Sequence, residues 1–406
     1  MQETKDTLSC EIAIQNMMLR HVDISKYKNL KKINLAHFGV VGNGKVDDTE
    51  ALQRALDSGK ELYADEGSTF LISKLLVIDN QGDQSIHWNN STIITNSYLE
   101  QAFHIKKESG LLEMSNLTIE GNYLIGIGFW IHSVVNFSNV DVRELSSRGM
   151  AAYAFRYEVT EHPNSHGDAT FDNCDCKDID TASNGIIGDS KGASRCLIFR
   201  YGYSGPSTKI SWTNSVFDGA WGDDGDLVHF EQMVSDINDS KFVFENMELK
   251  NFSRRAVKGL TGGVQFRNTR FKSPSSNNKK LSSAIESAGL VAMGNMIQNE
   301  AAKGVKFIGC TFDNSEGYEG RLIINRQDNL EIKNCTFIRT DIAFYQDLIG
   351  DILICKNRFD GRSRIYEYGF ESDEPYFGVI KIGGNKGLNG LIDLELGKIE
   401  SIECAQ

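Results

Sequence analysis

A six-residue pattern recurs ten times between Trp88 and Phe359, and it restricts the fold more than any other feature of the chain. A large apolar residue, any residue, a corner residue, two further residues and a second apolar residue follow in order. The copies are Trp88–Ile93, Met114–Ile119, Phe137–Val142, Phe171–Cys176 and Trp212–Phe217. They continue as Phe244–Leu249, Phe266–Phe271, Phe307–Phe312, Ile332–Phe337 and Ile354–Phe359. The corner residue is Asn in eight of the ten, so one backbone conformation is wanted at each; Gly309 and Lys356 are the exceptions. Apolar residues at period two mark short strands with one buried face. Asn between two such strands suits a tight bend, because it tolerates the left-handed conformation and bonds its own backbone. Repeated once per coil, the Asn side chains can also hydrogen-bond along a ladder.

The corners are 26, 23, 34, 41, 32, 22, 41, 25 and 22 residues apart. The shortest spacing fits one coil of a parallel β-helix, and propeller blades need about 40–50 residues. Ten coils rising about 4.8 Å each make a rod of about 45–50 Å. The expected architecture is therefore all-β: one solenoid domain of ten or more coils.

Composition agrees. The chain has 406 residues, 24% charged and 40% hydrophobic, enough for a continuous core and too apolar for a disordered chain. With 38 Gly and 4 Pro it favours tight turns over linkers. No run of 18 apolar residues is present, so no membrane span is expected. The net charge of -12 argues against nucleic acid as a partner. Met1–Asp6 is polar with no apolar h-region, so no signal peptide is expected in this form; either none is made or a mature secreted form carries a new Met1. The eight cysteines are Cys10, Cys174, Cys176, Cys196, Cys310, Cys335, Cys355 and Cys404. Cys174 and Cys176 lack zinc-type spacing, and most of the others sit in apolar strand patterns, so buried free thiols are the expectation.

Open coil ends expose strand edges, which need cover. Asp47–Gly59 reads as an amphipathic capping helix, with Asp47 as N-cap, Glu50 as its reciprocal partner, and Leu52, Ala55 and Leu56 as the apolar stripe. The expected division is an N-terminal extension over 1–32, a capping segment over 33–73 and coils over 74–406. Loop insertions are expected around 143–167, 177–208, 218–226 and 273–300.

The stretch Ile33–Leu56 contains His37-Phe38-Gly39-Val40-Val41-Gly42-Asn43-Gly44-Lys45-Val46-Asp47-Asp48-Thr49-Glu50-Ala51-Leu52-Gln53. It resembles the N-terminal signature of the pectate-lyase-like superfamily, DFGAxGDGxxDDTxAIQxAI. Glu61–Ser73 looks like the family's VYFPxGxYLIS strand, with acidic residues in place of the usual Pro. The resemblance implies right-handed coils and a saccharide groove along one outer sheet. Family members include polygalacturonase-like hydrolases, lyases, epimerases and phage tailspike depolymerases. The signature residues are structural in that family, so no catalytic role is assigned to Asp47 or Asp48.

Three consecutive long coils, between Asn139 and Asn246, place extra residues beside that groove, where loops on a rigid scaffold carry function. A second strand position aligns as Gly128–Ile131, Arg148–Tyr153, Asn184–Ile187, Gly225–Glu231 and Arg254–Gly259. Its outward side chains are unusually charged. Asp223, Asp224, Asp226, His229 and Glu231 lie one coil from Arg254, Arg255 and Lys258. Two carboxylates at suitable separation divide acid and base work in glycoside hydrolysis, one needing a raised pKa. A Lys or Arg could instead abstract the proton beside a uronate carboxylate, with Ca²⁺ neutralising the uronate. The same groups could bind sugar without turnover, or form only a solvated charge ladder.

The expected catalytic set is Asp224, Asp226, Glu231 and His229. Arg148, Asn184, Arg255, Lys258, Tyr153, Tyr201 and Trp221 are the expected substrate contacts. No metal or cofactor is expected, apart from Ca²⁺ if the reaction is elimination. Asp223-Asp224 before a basic strand loosely resembles the polygalacturonase-like DD…RIK arrangement, but no Gly-His-Gly follows and Asn-Thr-Asp-Gly is absent upstream. Glu161–Asp168, with His162 and His166, reads as a polar loop, since Pro163 opposes a helical His pair. The expected function is polysaccharide cleavage, as a glycoside hydrolase ahead of a lyase, outside the cell or on a virion. A glycan-binding phage tail component is the non-enzyme reading. Tailspike relatives are often trimers, and no trimerisation domain is evident before Gln406, so monomer and homotrimer both stay open.

Overall fold

The structure is a computed structural model. It describes residues 30–406 except 149–150, 162, 166, 182–191, 202–208, 223, 233–240, 260–261, 276–290, 293–301, 318–319, 345–348, 368–377, 389–391, 395–397 and 405–406. Successive coils stack in parallel and build two long sheets, one of 22 strands and one of 12. The larger sheet holds the strands on both sides of each corner, such as Lys209–Thr213 and Val216–Ala220. The smaller sheet holds the third strand of each coil. The core between them is stacked rings: Phe103, Phe129 and Phe155 on one wall, and Phe271, Phe312, Phe337 and Phe359 on another. Trp88 and Trp212 are fully buried, as their repeat positions predict.

Each corner from Asn90 to Lys356 is left-handed. Asn116, Asn139, Asn173, Asn214, Asn246, Asn268 and Asn334 have φ between 48° and 59°, and Lys356 and Gly309 take φ 56° and 66° at the two exceptional corners. The ladder is present too. Asn139 Nδ2 donates to Asn116 Oδ1 at 2.9 Å, Asn173 Nδ2 to Asn139 Oδ1 at 2.8 Å, and Asn246 Nδ2 to Asn214 Oδ1 at 3.1 Å. Between Asn173 and Asn214 the ladder detours, with Asn214 donating to Asp172.

Segments expected to leave the coils as insertions instead carry strands of the smaller sheet. Ala151–Val159 lies within 143–167, Ala193–Tyr201 within 177–208, and Asp224–Gln232 starts inside 218–226, where Val216–Ala220 of the larger sheet ends. Long coils disguise their third strand because the residues between corner and strand vary in number. The coil also begins early, since Lys32–Asn34 already pairs with Glu61–Tyr63.

A helix spans Thr49–Asp57 and buries Ala51, Leu52, Ala55 and Leu56. Its Gln53 accepts from the Val77 N–H at 2.9 Å and donates to the Val77 carbonyl at 2.8 Å, on the first strand of the smaller sheet. The N-cap differs from expectation. Asp48 precedes the helix and makes no side-chain cap bond to it. Asp48 is buried and accepts from the N–H groups of Val41 and Gly42 at 2.7 and 3.0 Å, pinning the glycine turn. Asp47 accepts from the Thr49 N–H, and Glu50 pairs with Lys74 instead of closing a box.

Cys174, Cys310 and Cys335 are buried free thiols as expected. Cys310 and Cys335 follow corners and donate to carbonyls of the preceding coil, Phe266 and Phe307. Cys176 and Cys196 are instead joined as a disulfide between the two sheets, and Cys355 and Cys404 as a second. Strand patterns show which side chains point inward, and they do not show which of those meet across the core.

Two outcomes follow from this architecture. Asn139→Ala should lower stability by about 1–2 kcal/mol, because it loses ladder bonds and strains a left-handed residue; Asn139→Gly should recover the backbone share. Urea unfolding midpoints measure both. Thiol titration of the denatured, unreduced chain should count at most four of the eight cysteines, and eight after reduction.

Candidate functional site

The outward face of the smaller sheet is built from columns. Within each strand two adjacent residues point inward, as Ala154-Phe155 and Leu227-Val228 do, so outward positions recur at i, i+3 and i+5. Parallel register aligns these positions about 4.8 Å apart. One column runs Tyr153, Arg195, Asp226, Arg255. The next runs His104, Trp130, Arg156, Ile198, His229, Lys258. The third holds Glu158, Arg200 and Glu231.

Asp224, Asp226, His229, Arg255 and Lys258 meet, and a residue absent from the sequence-based set, Arg195, binds them together. Arg195 is nearly sealed from solvent. Its Nη2 lies 2.6 Å from Asp224 Oδ2 and 3.2 Å from Asp226 Oδ2, and its Nη1 donates to the carbonyls of Ser194 and Asp224. Its Nε donates to His229 Nδ1 at 3.1 Å. Arg255 donates through Nε to Asp226 Oδ1 at 2.7 Å and through Nη2 to Asp224. Lys258 Nζ stands 3.3 Å from Asp224 Oδ2.

The two carboxylates differ. Asp226 is fully buried between Arg195 and Arg255, whereas the Asp224 side chain is 30% exposed and faces outward. Burial alone would raise the Asp224 pKa, but Arg195, Arg255 and Lys258 outweigh it and hold the carboxyl well below its ordinary value. Burial also opposes the charge on Arg195, and Asp226 and Asp224 restore it. His229 is driven the other way: burial, then the charges of Arg195 and Lys258, keep the imidazole neutral. Since its Nδ1 accepts from Arg195, the proton sits on Nε2, which has no partner among the described residues.

A second group shares the face. The Trp130 ring stacks on His104 at 4.8 Å, and the Arg156 guanidinium lies 4.1 Å over it. Glu158 accepts from Arg156 and from Arg200, and Arg200 also pairs with Glu231 at 2.7 Å. Burial takes the His132 pKa down to about 4 despite the nearby Glu158.

Glu231 therefore belongs to this second group. It is seven positions along the same strand from Asp224, about 23 Å at 3.3 Å per residue. Paired glycosidase carboxylates need about 5–9.5 Å. Tyr153 lies one coil from Arg195, beside the centre. Trp221 is buried and donates to Asp178. Arg148 lies over the Tyr98 ring at 4.7 Å, outside the columns. Asn184, Asp223, His162, His166 and the Tyr201 side chain lie outside the described residues.

Arg195, Arg156, Glu158, Arg200 and Trp130 carry the face, and all but Trp130 escaped the sequence alignment of its columns. The signal was the inward pair flanked by polar residues, which aligns Ala154-Phe155 with Cys196-Leu197 and brings Tyr153 opposite Arg195. Ca²⁺ does not fit the centre. The Asp224 and Asp226 oxygens accept from guanidinium groups, and among the described residues no group of three His, Cys, Asp or Glu side chains could hold a metal.

No family model and no curated protein matches the sequence. Solved structures do match its fold. PfbA, a surface adhesin of Streptococcus pneumoniae, superposes with a TM-score of 0.56 at 14% identity, over 91% of this chain and 90% of that one. A mannuronic acid specific polysaccharide family 6 lyase from human gut microbiota gives 0.53 at 10% identity, over 91% and 81%. The fold is the right-handed parallel β-helix that the N-terminal signature implies. No helix among the described residues is long and apolar enough to cross a membrane.

The buried imidazole makes a pH prediction. A folded-state pKa below the unfolded value means the unfolded chain binds the extra proton first, so stability falls as pH drops below about 6.5. His229→Gln should remove its part of that slope, at most about 1.4 kcal/mol per pH unit. Urea unfolding of both proteins between pH 7 and 5 measures the difference.

Proposed function

We propose that the outward face of the smaller sheet binds an acidic polysaccharide, and that the centre at Asp224 cleaves it by elimination beside a uronate carboxylate. One observation carries this reading: cations and a neutral imidazole, whose N–H has no partner among the described residues, surround the solvent-facing Asp224. The hydrolytic alternative needs a second carboxyl near Asp224 that can stay protonated. Asp226 is sealed between two arginines and Glu231 is too distant, so neither supplies it.

In the proposed reaction Arg255 receives the uronate carboxylate. Its Nη1 makes no hydrogen bond among the described residues, so two N–H donors remain for substrate. Lys258, about a third exposed and placed by Asp224, removes the proton next to that carboxylate when it is in its neutral amine form. The electron pair left behind forms the ring double bond as the glycosidic C–O bond breaks. The ammonium so formed on Lys258 delivers its proton to the departing oxygen, and the neutral His229 keeps its own. Asp224 and Asp226 are positioning residues, fixing Arg195, Arg255 and Lys258. Trp130 and Arg156 offer a flat, cationic surface to neighbouring sugars. The two disulfides fit work in an oxidising setting, outside the cell or on a virion, as a monomer or homotrimer.

Glycan binding without turnover is the second reading, favoured by the ion pairing of both carboxylates in the centre.

A panel of neutral and acidic polysaccharides, with and without chelator, tests the proposal. Ultraviolet absorbance of unsaturated uronate should appear together with new reducing ends, on acidic glycans only, and survive chelation. Lys258→Ala should lower the rate about 10²–10⁴-fold. Reducing ends without absorbance would establish hydrolysis, and binding with neither signal would establish the second reading.

A further inference from the structure

Before the centre along the same sheet, the strand Ala151–Val159 turns two donors outward that the fold does not use. Tyr153 aligns with Ile127 on one neighbouring coil and with Arg195 on the other. Its phenol oxygen makes no hydrogen bond among the described residues. Arg156, three positions on, binds Glu158 through Nε and Nη2, and its Nη1 makes no hydrogen bond among the described residues. Neither the phenol oxygen nor Nη1 belongs to the sealed polar atoms that lack a partner, so both reach solvent. The two side chains converge, with the Arg156 guanidinium carbon 5.9 Å from the centre of the Tyr153 ring. The carboxylates nearby are already engaged, Glu158 by Arg156 and Arg200, and Glu231 by Arg200.

The electrostatics of the place favour an anion. Burial is the largest cause that raises the Tyr153 pKa, so the phenol keeps its proton and serves as a donor. The guanidinium groups of Arg195, Arg156 and Arg200 act on its oxygen in favour of negative charge, and Glu231 acts against them. A ligand between the phenol and Arg156 therefore meets an O–H and an N–H in a positive field. That pair matches the two oxygens of a carboxylate. A neutral hydroxyl would meet the same donors and gain nothing from the field.

We infer that Tyr153 and Arg156 form a second recognition point for the glycan, taking the carboxylate of another uronate in the same chain whose reacting uronate lies at Arg255. The inference deepens the acidic-polysaccharide reading and rests on it for the substrate class, while binding at Tyr153 needs no chemistry at Lys258. The strand Ala151–Val159 lies three coils before Arg255–Lys258, about 14 Å along the axis. That span exceeds the separation of adjacent sugars in a chain. A glycan held at both places carries uronates at more than one position, so a run of consecutive uronates fits and an isolated uronate in a neutral chain does not.

The test uses the full chain and measures binding of galacturonate hexamer, mannuronate hexamer and neutral maltohexaose by calorimetry. The variants are Tyr153→Phe and Arg156→Lys, the second keeping the charge while losing the fork. The wild type should bind at least one uronate hexamer and not maltohexaose. Tyr153→Phe should weaken uronate binding about tenfold, and Arg156→Lys should weaken it as well. The urea midpoint of Tyr153→Phe should equal that of the wild type, because the lost oxygen makes no bond within the fold; a lowered midpoint with unchanged binding would assign the phenol to stability and overturn the inference. Binding unmoved in both variants would overturn it too, as would a wild type that binds neither uronate hexamer. Product from an acidic glycan alongside unmoved binding would overturn this inference alone. Weakened binding in Tyr153→Phe with no product from any glycan would overturn the cleavage proposal alone.

Discussion

Parallel pairing between coils holds each residue about 4.8 Å from its equivalent on the next coil, and the rest of the molecule depends on that spacing. It converts a repeat in sequence into straight columns in space. Inward columns become stacked phenyl rings, such as Phe271 on Phe312 on Phe337. Corner columns become an Asn ladder, where one residue type satisfies the left-handed backbone and hydrogen-bonds its copy. Gly309 and Lys356 show that the backbone conformation is the stronger requirement, since both adopt it without an Asn side chain.

Outward columns bring charges together that sequence distance keeps apart. Arg195, Asp226 and Arg255 come from three successive coils. A buried carboxylate such as Asp226 is tolerated only because guanidinium groups on both neighbouring coils meet it. The register that stacks the core is thus the same register that balances the centre. A shift of one residue on any of these strands would expose apolar groups and unpair buried charges together. At Asp224 the charges are largely balanced and held rigid, which suits positioning.

Much of the fold was legible because solenoid coils contact only their neighbours, so local pattern and global architecture say the same thing. The ten corners, their handedness, the Asn ladder, the buried thiols at Cys310 and Cys335 and the core Trp residues could all be read in advance. The charged strand Asp224–Gln232 and its partner Arg255–Lys258 were legible for the same reason, since both begin at nearly the same distance after their corners, Asn214 and Asn246. Arg195 was not. Its coil is long, its strand begins well after the corner, and nothing in the local pattern says where a chain re-enters the sheet.

The sequence by itself determined the coil, because period-two burial and a left-handed corner residue act within a few positions of each other. Only the tertiary structure decided which carboxylate faces solvent, which is sealed between arginines, and that Glu231 belongs to another group. Those outcomes depend on register between coils and on distance along a strand, and the free energy of a charge is set by what surrounds it in space.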